Sequence, residues 1–267
     1  MLDQLEREHH VWLVNPDEIS SGSSLAACRE ILSIDEINRQ ERFHFAADRH
    51  RFLVSHALVR RVLSRYTGIA PADLEFSSGE FGRPEIANPG LPALRFNLTH
   101  TRQLTACIVT LSHDCGIDTE QLNPRHKLDG VAKRMFSEAE HMELQQYSGQ
   151  NYLEHFYRCW TLREAYVKAR GIGISFPTRK LKFTLKGKSG ASVVFDPDID
   201  DQADAWQFHF VDSGNDHITA LAVRDDEHVH KPVVTHHFAL LIRLPNTPAP
   251  LQVVEQIEPL DPDIGLL

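Results

Sequence analysis

Asn151-Tyr-Leu-Glu-His-Phe-Tyr-Arg-Cys-Trp160-Thr-Leu-Arg-Glu164-Ala-Tyr-Val-Lys168-Ala-Arg170-Gly171-Ile-Gly173 reads as one long helix with its own stop signal. Leu153, Phe156, Trp160 and Val167 recur at helical spacing, and Gly171 supplies the left-handed residue that ends such a helix. Short strands follow it, near Lys182–Leu185, Ser192–Phe195, Ala205–Val211 and Thr219–Val223. Upstream, Ser137 with Glu140 three residues on matches a capping box and opens a helix. This half of the chain is therefore helices first and antiparallel-type strands afterwards.

The N-terminal half repeats that order. His10–Asn15 reads as a first strand and Ser20–Ser24 as a loop. From Leu25 to about Tyr66 the pattern is helical, with Val54, Leu58 and Val62 recurring every fourth residue. Asp48 is the expected N-cap of the last helix, and Gly68 with Pro71 its stop. Leu74–Phe76 reads as a short strand and the Gly- and Pro-rich Ser77–Pro92 as a loop. Leu94–Asn97, Leu104–Leu111 and Cys115–Glu120 read as strands. The pattern is α+β rather than alternating βα units. It divides into a lobe over residues 1–114, a lobe over 115–228 and a Pro-rich acidic tail over 229–267, partly disordered or packed as an added segment, within which Val233–Leu244 could add a strand or an interface segment.

Composition bounds the function. Of 267 residues, 42% are hydrophobic and 24% charged, too apolar a balance for wholesale disorder. The net charge of −9 argues against non-specific nucleic-acid binding, which needs a broad basic surface. No apolar signal segment opens the chain, and no stretch is long enough for a membrane span. Cys28, Cys107, Cys115 and Cys159 form no zinc pattern, and free thiols suit a cytoplasmic protein.

Four short blocks carry chemistry. In Gly116-Ile-Asp118-Thr-Glu120, the two carboxylates share one face of a strand. They either end a solvated strand or share a hard cation such as Mg²⁺. Glu164 lies one turn after Trp160 on the apolar stripe, and Lys168 one turn further. The two form either a helix-surface pair or a third metal ligand with a phosphate partner. Phe81-Gly82-Arg83-Pro84 and Phe96-Asn-Leu-Thr99-His100 place a cation, a hydroxyl and an imidazole ahead of the carboxylates. That mixture suits a ligand with several phosphates. Arg39, His50 and Arg51 add further cations, while Arg42 and Arg49 read as solvated.

Taken in order, these blocks resemble the 4′-phosphopantetheinyl transferase family, in particular the longer, monomeric surfactin-synthetase type. The resemblance covers roughly residues 10–225. It implies two similar lobes related by pseudo-twofold symmetry, each with helices packed on a small antiparallel sheet, and an active site between them. It also implies a holo-[acyl-carrier-protein] synthase type of reaction. The 4′-phosphopantetheine arm of coenzyme A moves to a Ser hydroxyl of an apo acyl or peptidyl carrier protein, with release of 3′,5′-ADP. On the same resemblance, Asp118, Glu120 and Glu164 hold Mg²⁺, with Mn²⁺ as an alternative. Glu164 is also the candidate base, directly or through a metal-bound water. Lys168, His100 and Thr99 meet phosphate oxygens. Arg83 holds the nucleotide end, with Gly82 and Pro84 shaping the loop over adenine, and Arg39, His50 and Arg51 bind the 3′-phosphate. The family often carries Ser at Thr99, Lys at Arg83 and Arg163, and Tyr at Phe81.

Carrier docking on an acidic chain calls for a local patch, for which the Lys127–Arg134 region with Met135 and Phe136 is the candidate. Three other readings stand beside transfer. One is a Mg²⁺-dependent diphosphate hydrolase using the same carboxylates. Another is a silent coenzyme A or carrier-binding module. The third is a zinc protein built on His228, His230, His236 and His237.

Overall fold

The computed structural model describes residues 1–79, 82–124, 127–173, 176–226 and 228–238, and the backbone of residues 254–257. Its N-terminal lobe begins with β1 (His9–Val14) and continues through α1 (Gly22–Arg29), α2 (Ile34–Glu41) and α3 (Ala46–Thr67). Then come the hairpin β2 (Phe76–Ser78) and β3 (Pro84–Ile86), and the strands β4 (Leu94–His100) and β5 (Thr105–Leu111). The C-terminal lobe holds β6 (Cys115–Gln121), α4 (Leu128–Met135), α5 (Glu138–Leu144) and α6 (Gly149–Arg170), followed by β7 (Leu181–Lys186), β8 (Gly190–Phe195), β9 (Trp206–Val211) and β10 (His217–Arg224). β11 (Val233–His237) and β12 (Val254–Ile257) end the described chain. Phe81 and most of the segment after residue 238 lie outside the described residues.

Several local expectations shift. Ser21 caps α1 from within the stretch read as a loop, because its hydroxyl accepts the Ser24 N–H at 3.1 Å. Phe45, in extended backbone, is the N-cap of α3 in place of Asp48. Asp48 lies in the first turn and pairs with Arg51 at 2.5 Å. Gly68, at φ +71°, ends the helix as expected. The Gly- and Pro-rich stretch contains the β2–β3 hairpin, a pairing over which it gives no alternating pattern.

The sheets run β12-β11-β1-β5-β4 and β6-β10-β9-β8-β7. All described pairings are antiparallel except β1 with β11, where the C-terminal segment returns beside the first strand. The two sheets pack face to face over Val11, Leu13, Ile108, Ile117, Leu221 and Val223. On the outer face of the first sheet, Trp12, Cys107 and Val109 pack on Val54, Leu58 and Val62 of α3. On the outer face of the second, Ala220 and Ala222 pack on Leu162, Ala165 and Ala169 of α6. β5 is buried on both faces, which explains the continuous apolar stretch Ala106–Val109 at its centre where a half-exposed strand would alternate.

The lobes repeat one buried device. In each, a capping-box serine opens a short helix, Ser33 for α2 and Ser137 for α5. The glutamate three residues on, Glu36 or Glu140, pairs with a buried arginine of the long helix, Arg60 at 2.7 Å or Arg163 at 2.5 Å. Each guanidinium stacks on an aromatic ring, Phe76 or Phe183, and donates to backbone carbonyls, Leu74 or Leu181. Removing either partner would strand a buried charge.

Buried imidazoles give the fold an acid limit. His9 of β1 and His236 of β11 are sealed from water with no hydrogen bond to either ring nitrogen, and Nε2 of His209 is likewise unpartnered. Burial, then the positive potential of His113 and Lys231, pushes His9 down to about 3. Burial is also the main cause at His209 and His236, each held at about 4, with His230 acting on the first and His10 and Arg65 on the second. A depressed imidazole pKa means the unfolded chain takes up protons first. Stability is therefore full above about pH 6.5 and falls as pH drops toward 4. The expected loss by pH 5 is about 2 kcal/mol per imidazole. Thermal melts from pH 8 to 5 check this, and a flat profile contradicts it.

Candidate active site

The site is built where β6 meets α6 and β4. Gly116 lets α6 lie directly on β6: a Cβ at that position would stand 2.0 Å from the Ala165 carbonyl oxygen and 2.5 Å from the Ala169 nitrogen. The close approach carries Glu164 and Lys168, one turn apart on α6, over the carboxylates of β6. On the other side Asn97 and Thr99, two residues apart on β4, accept the Ile117 and Thr119 N–H groups at 3.0 and 3.2 Å. Those side chains join two sheet edges that no backbone ladder connects. Sequence reasoning missed Asn97, although its period-two spacing with Thr99 was the available signal.

Asp118 pairs with Ala220 of β10 in register, which aims it at the α6 face. Its Oδ1 accepts from Lys168 Nζ at 2.5 Å and from Thr99 Oγ1 at 3.4 Å, and Lys168 also donates to the Ile117 carbonyl at 3.1 Å. Asp118 Oδ2 is buried with no hydrogen-bond partner. Burial raises the Asp118 pKa, and the Lys168 ammonium opposes that rise. Glu164 is raised as well, first by burial and then by the negative charges of Asp118 and Glu120. The three carboxylates thus repel one another across a partly buried space that also holds the Lys168 ammonium.

A cleft of about 510 Å³ opens on this cluster, lined by Leu98, Thr99, His100, Asp118, Glu120 and Lys168. Arg102, also on its wall, is exposed and has no ion pair among the described residues; sequence reasoning passed over it. His100 is held below 6.5, first by desolvation and then by the Arg51 charge, with Lys168 and His56 adding to it. Leu98 also lines a second cavity of about 890 Å³ that includes Arg39, Pro84 and Phe96. Two further cavities, of about 530 and 590 Å³, flank the loop between β9 and β10 and contain none of the expected site residues.

Three expected ligand contacts lie apart from this groove. Arg83 donates to the Ala169 carbonyl at 2.7 Å and pairs with Glu85 and Asp114, which ties the β2–β3 hairpin to the end of α6. A ring nitrogen of His50 donates to the Ile19 carbonyl at 2.8 Å. Gly82 is exposed at φ +80°, beside the undescribed Phe81. In each of the first two, the tertiary fold supplies a partner that a sequence pattern cannot reveal. Phe136, expected at a docking patch, is 1% exposed and belongs to the C-terminal core, while Lys133 and Arg134 are exposed.

The donor set fits a hard divalent cation. It consists of carboxylate oxygens, one of them buried and unpartnered, held against mutual repulsion. Among the described residues no three His, Cys, Asp or Glu side chains are drawn into one ligand cluster. The histidines considered for zinc are dispersed: His228 bonds the Asp204 carbonyl, and His236 lies stacked on Trp12.

Comparison with known proteins bears on both lobes. A family model described as 4′-phosphopantetheinyl transferase superfamily matches residues 114–222, and one described as 4′-phosphopantetheinyl transferase, N-terminal, matches residues 20–111. The chain is 34% identical over 175 residues to 4′-phosphopantetheinyl transferase HetI of Nostoc sp., covering 65% of this chain and 73% of that protein. It is 34% identical over 162 residues to 4′-phosphopantetheinyl transferase Sfp of Bacillus subtilis, covering 61% and 70%. With a phosphopantetheinyl transferase of Thraustochytrium sp. it shares 32% identity over 219 residues, covering 78% and 72%. Among solved structures, a holo-(acyl-carrier-protein) synthase from Bacillus anthracis in complex with CoA (3′,5′-ADP) matches 42% of this chain and 94% of its own, with 22% identity and a TM-score of 0.34.

Proposed function

Because the chain belongs to the 4′-phosphopantetheinyl transferase superfamily, we propose that it moves the 4′-phosphopantetheine arm of coenzyme A onto a serine hydroxyl of an apo acyl or peptidyl carrier protein. The observation that carries this reading is the cleft itself. Asp118, Glu120 and Lys168 line one wall region with Thr99 and His100, Glu164 bears on the same charges, and Leu98 leads on to Arg39. Such a site suits a long ligand with a diphosphate at its centre.

The chemistry follows from charge. The serine oxygen attacks the phosphorus that bears the pantetheine arm, the bond to the adenosine-linked phosphate breaks, and 3′,5′-ADP leaves. Negative charge builds on the diphosphate, so positioned cations lower the barrier. Lys168, anchored on Asp118 and the Ile117 carbonyl, offers its ammonium to that charge. His100 and Thr99 contact phosphate oxygens from the β4 side. Glu164 takes the serine proton, directly or through a water. Asp118, Glu120 and Glu164 would hold Mg²⁺ or Mn²⁺, which when bound neutralises diphosphate charge.

The remaining assignments rest on the same reading. Residues 1–114 and 115–228 form the lobes, and the described part of the segment after residue 228 adds β11 to the first sheet beside β1. The protein acts as a cytoplasmic monomer, and among the described residues no helix is long and apolar enough to cross a membrane. Lys133 and Arg134 on α4 offer the carrier a local basic surface.

Intact mass spectrometry of several apo carriers, after incubation with the protein, coenzyme A and Mg²⁺, tests the proposal. The expected result is a gain of one phosphopantetheine on at least one carrier, suppressed by excess chelator. Coenzyme A cleaved equally without a carrier would instead mark a diphosphate hydrolase. Binding without turnover would mark a silent module.

A further inference from the structure

His56 lies on α3 between the buried Ser55 and Ala57, and its own side chain is half-buried. Its Nδ1 donates to Glu36 Oε1 at 2.8 Å, and its ring stacks on Phe52 at 3.8 Å between centroids. Glu36 is itself fixed: Oε2 accepts from the Ser33 N–H at 2.8 Å and from Arg60 Nε at 2.7 Å. Burial alone would raise this carboxyl, but the hydrogen bonds from His56 and Ser33 and the Arg60 charge bring it down to about 2. It therefore stays ionised. The imidazole is doubly anchored, and its Nε2 makes no hydrogen bond among the described residues.

The duplicated lobe shows that this histidine is surplus to the structural device. In the C-terminal copy, Glu140 Oε2 also takes the capping serine N–H, at 3.1 Å, and the buried arginine, at 2.5 Å. Its other oxygen, Oε1, accepts a backbone N–H, that of Phe183, at 2.9 Å. At the matching oxygen of Glu36 the N-terminal lobe places an imidazole that lines the 890 Å³ cavity. Arg39 shares that wall, and the hydroxyls of Ser33, Ser77 and Ser78 surround it. Asp35, Asp73 and Glu75 also line the cavity, but they are exposed and screened by water. Phe96 and Pro84 supply an apolar wall, and His56 acts electrostatically on His100 at the neighbouring cleft.

We infer that His56 is a further ligand-binding residue: oriented by Glu36 through Nδ1–H, the ring takes a second proton when the ligand binds and donates from Nε2–H to the phosphomonoester of the nucleotide end of coenzyme A, so that with Arg39 it makes the enzyme discriminate ligands that carry that phosphate. This inference rests on the transfer reading above. It gives Glu36 two duties, holding Arg60 in the lobe and aiming His56 into the cavity.

His56→Gln keeps a donor for Glu36 and removes the second ring nitrogen. Calorimetric titration compares adenosine 3′,5′-bisphosphate with adenosine 5′-monophosphate. The expected result is a roughly tenfold weaker Kd for the bisphosphate, the loss of one charge-assisted contact, with the monophosphate changed less than about twofold. KM for coenzyme A rises by a similar factor and kcat is unchanged. As a check that needs no variant, the bisphosphate, and not the monophosphate, shifts the His56 ring proton resonances of the wild-type protein. Equal losses on both nucleotides, or no loss, would overturn the inference while transfer by the wild type stands. A wild type that transfers nothing and binds neither nucleotide would overturn the functional reading, and this inference with it.

Discussion

Asp118→Asn is expected to reduce transfer by about 10³-fold or more while leaving the melting temperature unchanged or slightly higher. The two halves of that expectation share one cause. Asp118 is 7% exposed, and its Oδ2 has no hydrogen-bond partner, so its charge is held at a cost to the fold. Asn is nearly isosteric and neutral and removes that cost. Lys168 loses its partner, but its side chain is 29% exposed and can be solvated. The pH dependence has a definite sign. A carboxyl raised by burial opposes folding once ionised, so its contribution becomes more favourable as pH falls into the carboxylate range. The variant lacks that slope. Transfer suffers because the removed charge anchors Lys168 and belongs to the set that would hold the cation. Release of 3′,5′-ADP measured beside a thermal melt separates the outcomes. A variant keeping more than about a tenth of wild-type turnover removes Asp118 from the site, since loss of one preorganised group ordinarily exceeds that. A variant that unfolds makes it a structural residue instead.

Much of this arrangement is legible along the chain, for reasons that differ from residue to residue. Asp118 and Glu120 share a face because a strand has period two, and Glu164 and Lys168 share one because a helix has period near four. The stops at Gly68 and Gly171 are legible because both take the left-handed conformation. The capping box at Ser137 is a four-residue pattern with a local cause, and Ser33 repeats it inside a stretch whose helical periodicity masks the break before α2. What local pattern cannot carry is pairing at a distance. β11 returns parallel to β1 across more than two hundred residues of chain, and nothing within Val233–His237 names its neighbour. Arg83 and His50 look like free cationic groups until Asp114, Glu85 and the Ile19 carbonyl are placed beside them. Asp48 resembles a cap because Asp caps many helices, yet the extended backbone at Phe45 decides where the first turn begins. His56 is hidden for the opposite reason: on a helix that already carries Arg49, His50, Arg51, Ser55, Arg60 and Arg61, one more polar residue makes no pattern, and only the cavity reveals its surroundings.

Gly116→Ala is expected to lower the melting temperature by roughly 6–12 °C and to remove most transfer from whatever protein still folds, because it adds one methyl group at the tightest contact between β6 and α6. An ideal Cβ there meets the Ala165 carbonyl oxygen at 2.0 Å and the Ala169 nitrogen at 2.5 Å, whereas ordinary contact begins near 3.4 Å. Both obstructing atoms belong to a helix backbone, so no side-chain rotation relieves the clash. The helix must move outward by an amount on the order of 1 Å, against the packing of Leu162, Ala165 and Ala169 on the sheet. Overpacking of this kind costs about 3 kcal/mol or more, which sets the melting shift for a protein of this size. The functional loss is separate from the loss of stability. The contact that brings α6 down on Gly116 also holds Lys168 at 2.5 Å from Asp118 and sets Glu164 against the same charges. A displacement near 1 Å in such positioning reduces turnover by about 10²-fold. Gly22→Ala is the control, since a Cβ at that position in the first turn of α1 meets nothing within 4 Å. Comparable melting and turnover in the two variants would show that α6 does not rest on β6 through Gly116, and with that contact gone the geometry of the cleft would have no foundation.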